Sequence, residues 1–279
     1  MKLPLFLMGA GMALAAAPAA QPPQLVRLWE TEPKLKVPEG VHLDTERQVL
    51  YVSNIDGTEP WAKDGAGSIA KVSLDGKILA AEWISGLHAP KGLARHGDRL
   101  YVADVQQLVV IDLKAGKIAE RLDVPEAQRL NDVSADPRGV VYVTDSQTGR
   151  VHRLQDGRLS VFSTAFKTPN GVLATADAVY VLDQEALHRV DENGKPSVVA
   201  KGITGHVDGV EQDGKDFLVT CWEGMIYHVG AEGQVTQLLD TRADKANAAD
   251  PAFDAKKRIL YVPTFWKNTV VAYQLAARE

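Results

Sequence analysis

The sequence predicts an all-β fold: a six-bladed β-propeller of four-stranded blades, its ring closed by an N-terminal strand joining the last blade. Three observations predict it. A short opening motif recurs six times, each time followed by an apolar run such as Val49-Leu50-Tyr51-Val52 or Val140-Val141-Tyr142-Val143. The second residues of these motifs stand at 40, 92, 132, 171, 209 and 251, giving spacings of 52, 40, 39, 38 and 42. A unit of about 40 residues is the size of a propeller blade. The sixth unit runs out at Leu275 after three strands, while Leu25 to Glu30 forms a strand ahead of the first unit. Joining the two closes the ring and removes exposed sheet edges.

The elements follow in order. Residues 1–19 read as an export signal, with Lys2 as the positive start, an apolar run from Leu3 to Ala17, and Ala17-Pro18-Ala19 as the cleavage pattern. A retained anchor is the alternative, but the run is short of the roughly 20 residues that span a bilayer. The mature protein, 20–279, is therefore expected in the periplasm or outside the cell, with no membrane contact after cleavage. The first blade opens at Glu39-Gly40-Val41 and carries an added loop, Asn54 to Gly67, that holds Trp61; Ile69 to Val72 and the turn Asp75-Gly76 follow. The second opens at Lys91-Gly92-Leu93 and the third at Asn131-Asp132-Val133, with Asp156-Gly157 as a hairpin turn. The fourth opens at Asn170-Gly171-Val172 and closes with Ser197 to Ala200. The fifth opens at Asp208-Gly209-Val210 and the sixth at Asp250-Pro251-Ala252. No stretch keeps a helical period, and an open sandwich would not explain six similar units.

Composition excludes other classes. The formal charge is −5 with no run of Lys or Arg, and aromatics make up 6%, so neither a phosphate-binding surface nor a base-stacking platform is expected. The only cysteine, Cys221, follows the apolar run Phe217 to Thr220 and reads as a packing residue.

In a propeller the innermost strand of each blade lines the central channel. The repeat register thus sets Glu39, Lys91, Asn131, Asn170, Asp208 and Asp250 around one mouth of that channel. All except Lys91 are oxygen donors. Such a set suits a hard divalent cation, Ca²⁺ first, then Mg²⁺ or Mn²⁺, with Zn²⁺ also open, although no His/Cys cluster has zinc spacing. Each Asx taken alone is more often a turn residue; the shared register lifts the set above that reading. The ends of the second strands, Asn54, Asp104, Asp145, Asp183, Trp222 and Phe265, are expected to form an outer wall. Trp61, Trp222 and Trp266 are candidates for a lid, with blade packing as the alternative. His88 and His206 stand just before two openings, as proton shuttles or as backbone partners.

These residues resemble the gluconolactonase / senescence-marker-protein / luciferin-regenerating-enzyme-like group of calcium-dependent propellers. Pro38-Glu39-Gly40, Arg129-Leu130-Asn131-Asp132, Asp136-Pro137-Arg138-Gly139, Pro169-Asn170-Gly171 and Val207-Asp208-Gly209 carry the resemblance, from about Leu25 to Leu275. It implies Glu39, Asn170 and Asp208 as metal ligands and Asn131 as a further metal or substrate contact. It also implies Arg129 as a substrate-binding arginine and Asp208 as the acid/base of a lactone hydrolase. Read from its own position, Arg129 is equally a rim ion-pair residue.

Two departures stand out. Sugar-lactonase members carry a further acid beyond the strand ending at Asp145; here Ser146-Gln147-Thr148-Gly149 follows. Lys91 adds a positive charge, either to bind an anionic substrate or to pair with Glu39 or Asp250 and weaken metal binding. The sequence therefore points to a metal-dependent hydrolase of a lactone or small ester. The alternatives are a non-catalytic periplasmic propeller that binds a ligand or protein, and an organophosphate hydrolase of the diisopropylfluorophosphatase kind.

Overall fold

The computed structural model describes residues 23–276; the signal segment expected at 1–19 lies outside them. Six four-stranded antiparallel sheets form a ring. The first blade holds β2 (Pro38–Asp44), β3 (Val49–Asn54), β4 (Gly67–Ser73) and β5 (Ile78–Leu87); the second holds β6 (Pro90–His96), β7 (Arg99–Asp104), β8 (Gln107–Asp112) and β9 (Lys117–Asp123). The third holds β10 (Leu130–Ala135), β11 (Val141–Asp145), β12 (Arg150–Gln155) and β13 (Arg158–Ser163); the fourth holds β14 (Pro169–Ala174), β15 (Val179–Asp183), β16 (Ala186–Val190) and β17 (Pro196–Lys201). The fifth holds β18 (Val207–Asp213), β19 (Asp216–Cys221), β20 (Met225–Val229) and β21 (Val235–Asp240). The sixth joins β22 (Ala252–Asp254), β23 (Ile259–Pro263) and β24 (Val270–Leu275) to β1 (Leu25–Glu30). Among the described residues no helix is long and apolar enough to cross a membrane.

Closure occurs as the sequence predicts. β1 pairs antiparallel with β24, Leu25 opposite Leu275 and Glu30 opposite Val271. Two further ties hold the seam: the Thr31 N–H donates to Val270 O at 3.0 Å, and the Trp29 indole N–H donates to Leu74 O at 3.1 Å. The second tie reaches from the last blade to the first, so the seam is anchored on both sides.

The core lies between blades rather than within one. Leu50, Val52 and Val72 of the first blade pack on Tyr261, Val270 and Ala272 of the last. Val143 and Val141 pack on Leu108 and Val110 in the same way. The alternating pattern of the middle strands explains this: successive side chains point to opposite sheet faces, and each face meets a neighbouring blade. Full burial of a Val or Leu contributes roughly 1.5–3 kcal/mol, so every inter-blade layer holds its neighbour in place. The outermost strands are largely exposed, as β9 shows.

Candidate functional site

The inner strands do not pair with their neighbours along their whole length. Register breaks occur between Pro38 and Val41, Pro90 and Leu93, Leu130 and Val133, Pro169 and Val172, and Val207 and Val210. The two residues inside each break are the polar residue and the one after it. A bulge frees a residue from the ladder and re-aims its side chain. Five of the six predicted ring residues sit at this break; the sixth, Asp250, precedes β22 and bridges to Gly40.

In four blades the residue after the ring position is glycine, because the blades converge there. A Cβ on Gly92 would meet Asp132 Oδ1 at 2.2 Å, and one on Gly171 would meet Asp208 O at 2.4 Å. Hydroxyls on the second strands hold the bulges: the Gly40 N–H donates to Ser53 Oγ at 2.8 Å, and the Gly209 N–H to Thr220 Oγ1 at 2.9 Å.

The ring residues come together. Glu39, Lys91, Asn131, Asp208 and Asp250 are buried, and Asn170 is half-buried. Lys91 Nζ lies 3.6 Å from Glu39 Oε1. Glu39 Oε2 is buried and has no hydrogen-bond partner. Burial pushes the Glu39 carboxyl up, against the Lys91 charge. Burial and then the Glu39 charge push Asp208 well up, while Lys91 and a hydrogen bond from Asn170 oppose the shift. Asp250 is raised by burial and by Asp132, Glu39, Asp208 and Glu211. A set of carboxyls this close resists full ionisation unless a cation shares the space.

Sequence reasoning missed two members of this set. Asp132 stands where four other blades have glycine, and its side chain lines the cavity between the inner strands. Its Oδ2 accepts from the Val172 N–H and its Oδ1 from the Val133 N–H, both at 2.6 Å. Burial raises it to about 7. Glu211, further along β18, is raised by burial to about 8. The broken glycine pattern at Asn131-Asp132-Val133 was the available signal for Asp132. A cavity of about 200 Å³ beside Asp132, Glu211 and Asp250 continues the channel along the inner strands.

On the mouth side, a cavity of about 920 Å³ is lined by Asn131, Ser146, Asn170, His188, His206 and Val207, among others. Asn131 Nδ2 donates to Ser146 Oγ at 3.1 Å, which orients the amide. Arg129 is exposed, with its guanidinium carbon 5.6 Å from the centre of the Trp61 ring; Lys91 Nζ lies 4.3 Å from the same ring. Trp222 and Trp266 instead pack edge-on against Phe265, at 5.5 and 4.8 Å.

The expected outer wall is a set of backbone anchors. Asp104 accepts the N–H groups of His88 and Ala89, Asp145 those of Gln128 and Arg129, and Asp183 those of Lys167 and Thr168. Asn54 accepts the Lys36 N–H at 3.2 Å. Each carboxylate or amide holds the segment entering its own inner strand, where the ladder has not begun and N–H groups need acceptors. Asp183 also borders the large cavity. In the fifth blade Glu223 does the same work, accepting the His206 N–H at 3.0 Å and pairing with its Nδ1. Cys221 is wholly buried, and burial pushes its thiol up to about 12, so it packs as the sequence implied.

Among the described residues no three His, Cys, Asp or Glu side chains converge as a metal cluster. The set Glu39, Asn170 and Asp208 contains two carboxylates and one amide, and fits a hard cation on different grounds: an orphaned, buried Glu39 oxygen beside coupled carboxyls.

No protein with a curated description matches the chain in sequence. Among solved structures it resembles a protein described as a putative gluconolactonase, with TM-score 0.67, 18% identity, and 95% of this chain and 98% of that one covered. Luciferin-regenerating enzyme follows with TM-score 0.63 and 16% identity, covering 92% and 96%. Virginiamycin B lyase from Staphylococcus aureus gives TM-score 0.62 and 13% identity, covering 91% and 99%. At these identities the structures speak for the fold alone. The sequence profile is more specific: the SMP-30/Gluconolactonase/LRE-like region matches residues 37–266, from the residue before β2 through Trp266. With six bladed repeats, the bulged polar ring and that match over most of its length, the chain belongs to the SMP-30/gluconolactonase/LRE-like family of β-propellers.

Proposed function

We propose that the protein is a divalent-cation-dependent hydrolase of a lactone or small ester, exported to the periplasm or beyond. One observation carries it: the buried, unpartnered Glu39 Oε2 faces a set of carboxyls that raise one another's protonation, with the Asn170 amide beside Asp208. Glu39, Asn170 and Asp208 would hold the cation, Ca²⁺ before Mg²⁺, Mn²⁺ or Zn²⁺. Bound there, it would polarise the scissile carbonyl and stabilise the charge that develops on its oxygen.

The chain's own groups supply the rest. Asp208 takes a proton from the attacking water and returns it to the leaving oxygen. Asn131, its amide held by Ser146, orients the substrate from the cavity side. The inter-blade layers under the ring keep these groups in place as the reaction proceeds.

The test is elemental analysis of protein purified without chelators, then assay of a lactone and aryl-ester panel before and after metal removal. Hydrolysis that falls and returns with the metal supports the reading. A metal-loaded protein that hydrolyses nothing sinks it. The Lys91–Glu39 contact favours a second reading, a propeller that binds without turnover, because the lysine already supplies part of the cation's charge. A partner or ligand whose binding survives metal removal would favour that one.

A further inference from the structure

We infer that the channel mouth selects a substrate carrying a carboxylate, held by Lys91 and Arg129 across the Trp61 indole. The inference deepens the hydrolase reading of the same site, and its binding test does not depend on turnover.

The two cations share one aromatic ring. Lys91 Nζ is 4.3 Å and the Arg129 guanidinium carbon 5.6 Å from its centre. The two distances add to about 10 Å, so the positive charges lie no farther apart than that. At that separation like charges repel by roughly 1–2 kcal/mol at an effective dielectric constant near 20. A cation over an indole recovers about 0.5–2 kcal/mol, which offsets the repulsion but leaves both groups short of hydrogen-bond acceptors.

Among the described residues neither cation donates a side-chain hydrogen bond, and only Lys91 has a carboxylate near it. The nearest carboxylate oxygen to Lys91 is 3.6 Å away, beyond hydrogen-bond length, although Lys91 is only 3% exposed. The Arg129 guanidinium pairs with no carboxylate among the described residues; only its backbone N–H reaches one, on Asp145. Its neighbours in sequence differ: Arg121 reaches Asp104, Arg138 reaches Asp136, and Arg150 reaches Glu126. A guanidinium fork with free N–H groups at a channel mouth is built to take a carboxylate in two parallel hydrogen bonds.

The indole is brought there by the one repeat that breaks the spacing. The loop between β3 and β4 is what stretches the first unit, and Trp61 is its apolar tip. The loop is tied to the second blade by Lys63, which donates to Gln106 Oε1. The acidic ring explains why two cations are needed. Without them an entering carboxylate would face Glu39 and Asp208; with them the approach is positive and the acids lie beneath.

The test uses matched, non-hydrolysable probes on the full mature chain: tetrahydrofuran-2-carboxylate and its neutral carboxamide. Tryptophan fluorescence is titrated with each, and Trp61→Phe identifies the signal. The carboxylate should bind at least about ten-fold tighter, with the preference shrinking as salt rises from roughly 50 to 500 mM. Lys91→Met and Arg129→Gln should each remove most of the preference. Arg129 is exposed, so its variant serves if Lys91→Met does not fold. No carboxylate binding at millimolar concentration, equal binding of both probes, or a preference that survives both substitutions overturns the inference. The turnover arm compares 5-oxotetrahydrofuran-2-carboxylate with its primary amide. Hydrolysis of both at equal efficiency, without anion preference, sinks this inference and leaves the hydrolase. Anion-selective binding without hydrolysis does the reverse.

Discussion

Lys91 Nζ lies 3.6 Å from Glu39 Oε1, with both side chains almost wholly inside the ring. A lysine so placed takes part of the charge that a divalent cation would take. Two positive groups near one carboxylate repel through a partly desolvated medium. Lys91→Met should therefore tighten divalent-cation binding by about ten-fold or more, measured by isothermal titration calorimetry. Weaker binding in the variant would show that Lys91 supports the ring rather than competes in it.

Asn170 and Asp208 stand on adjacent blades, and the Asn170 amide lies close enough to favour the ionised Asp208 carboxyl. Asn170→Ala or Asp208→Ala removes one oxygen donor of three. Either change should abolish stoichiometric cation binding in equilibrium dialysis and lower hydrolysis by about 100-fold or more. Hydrolysis that persists in both variants would exclude this ring as the reacting centre.

Asp145 is fully buried and accepts the N–H groups of Gln128, Arg129, Gln147 and Thr148, at 2.9, 3.1, 3.1 and 3.2 Å. Burial alone would raise its carboxyl, but these N–H groups outweigh burial and hold it below the usual range. A folded-state value below the unfolded one gives stability that is present above pH 4 or so and lost as pH falls through the folded value. Asp145→Ala should cost about 2–4 kcal/mol at pH 7 in urea unfolding. The cost should shrink at low pH, where the carboxyl is protonated in both states. A neutral effect at pH 7 would mean that water replaces the carboxylate.

Glu211 runs the other way. Its folded value of about 8 lies above the unfolded 4.5, chiefly through burial and then the Asp132 charge. The stability it contributes is complete below pH 4.5 and is lost as pH rises toward 8. Glu211→Gln keeps a neutral side chain of the same shape. It should raise the unfolding free energy at pH 8, on the order of 1–2 kcal/mol for a half-buried group, and leave it unchanged at pH 4.5. An equal shift at both pH values would assign the effect to packing.

Much of this was legible in the sequence because a propeller repeats its own local rules. The hairpin turn Asp156-Gly157 has both residues at positive φ, 50° and 73°, as an Asp-Gly pair between alternating strands requires. The strand Leu25–Glu30 had no partner in its own unit, and the sixth unit lacked one. Asp104, Asp145 and Asp183 were harder. Their place at the strand ends was readable, but not whether they face a ligand or the chain. The structure shows the chain wins, because unpaired N–H groups lie within reach of each carboxylate before any solvent does.

The sequence by itself determined the number of blades, the seam and the register that puts Glu39, Lys91, Asn131, Asn170, Asp208 and Asp250 at one mouth. Those follow from patterns a few residues long, repeated at a fixed period. Only the tertiary structure decided that Lys91 meets Glu39, that Trp61 gathers Lys91 and Arg129, and that Asp132 packs against Gly92. Each of these joins side chains from different blades, whose distances depend on how far the sheets converge at the channel. No local pattern encodes that convergence; the packed layers between the blades set it.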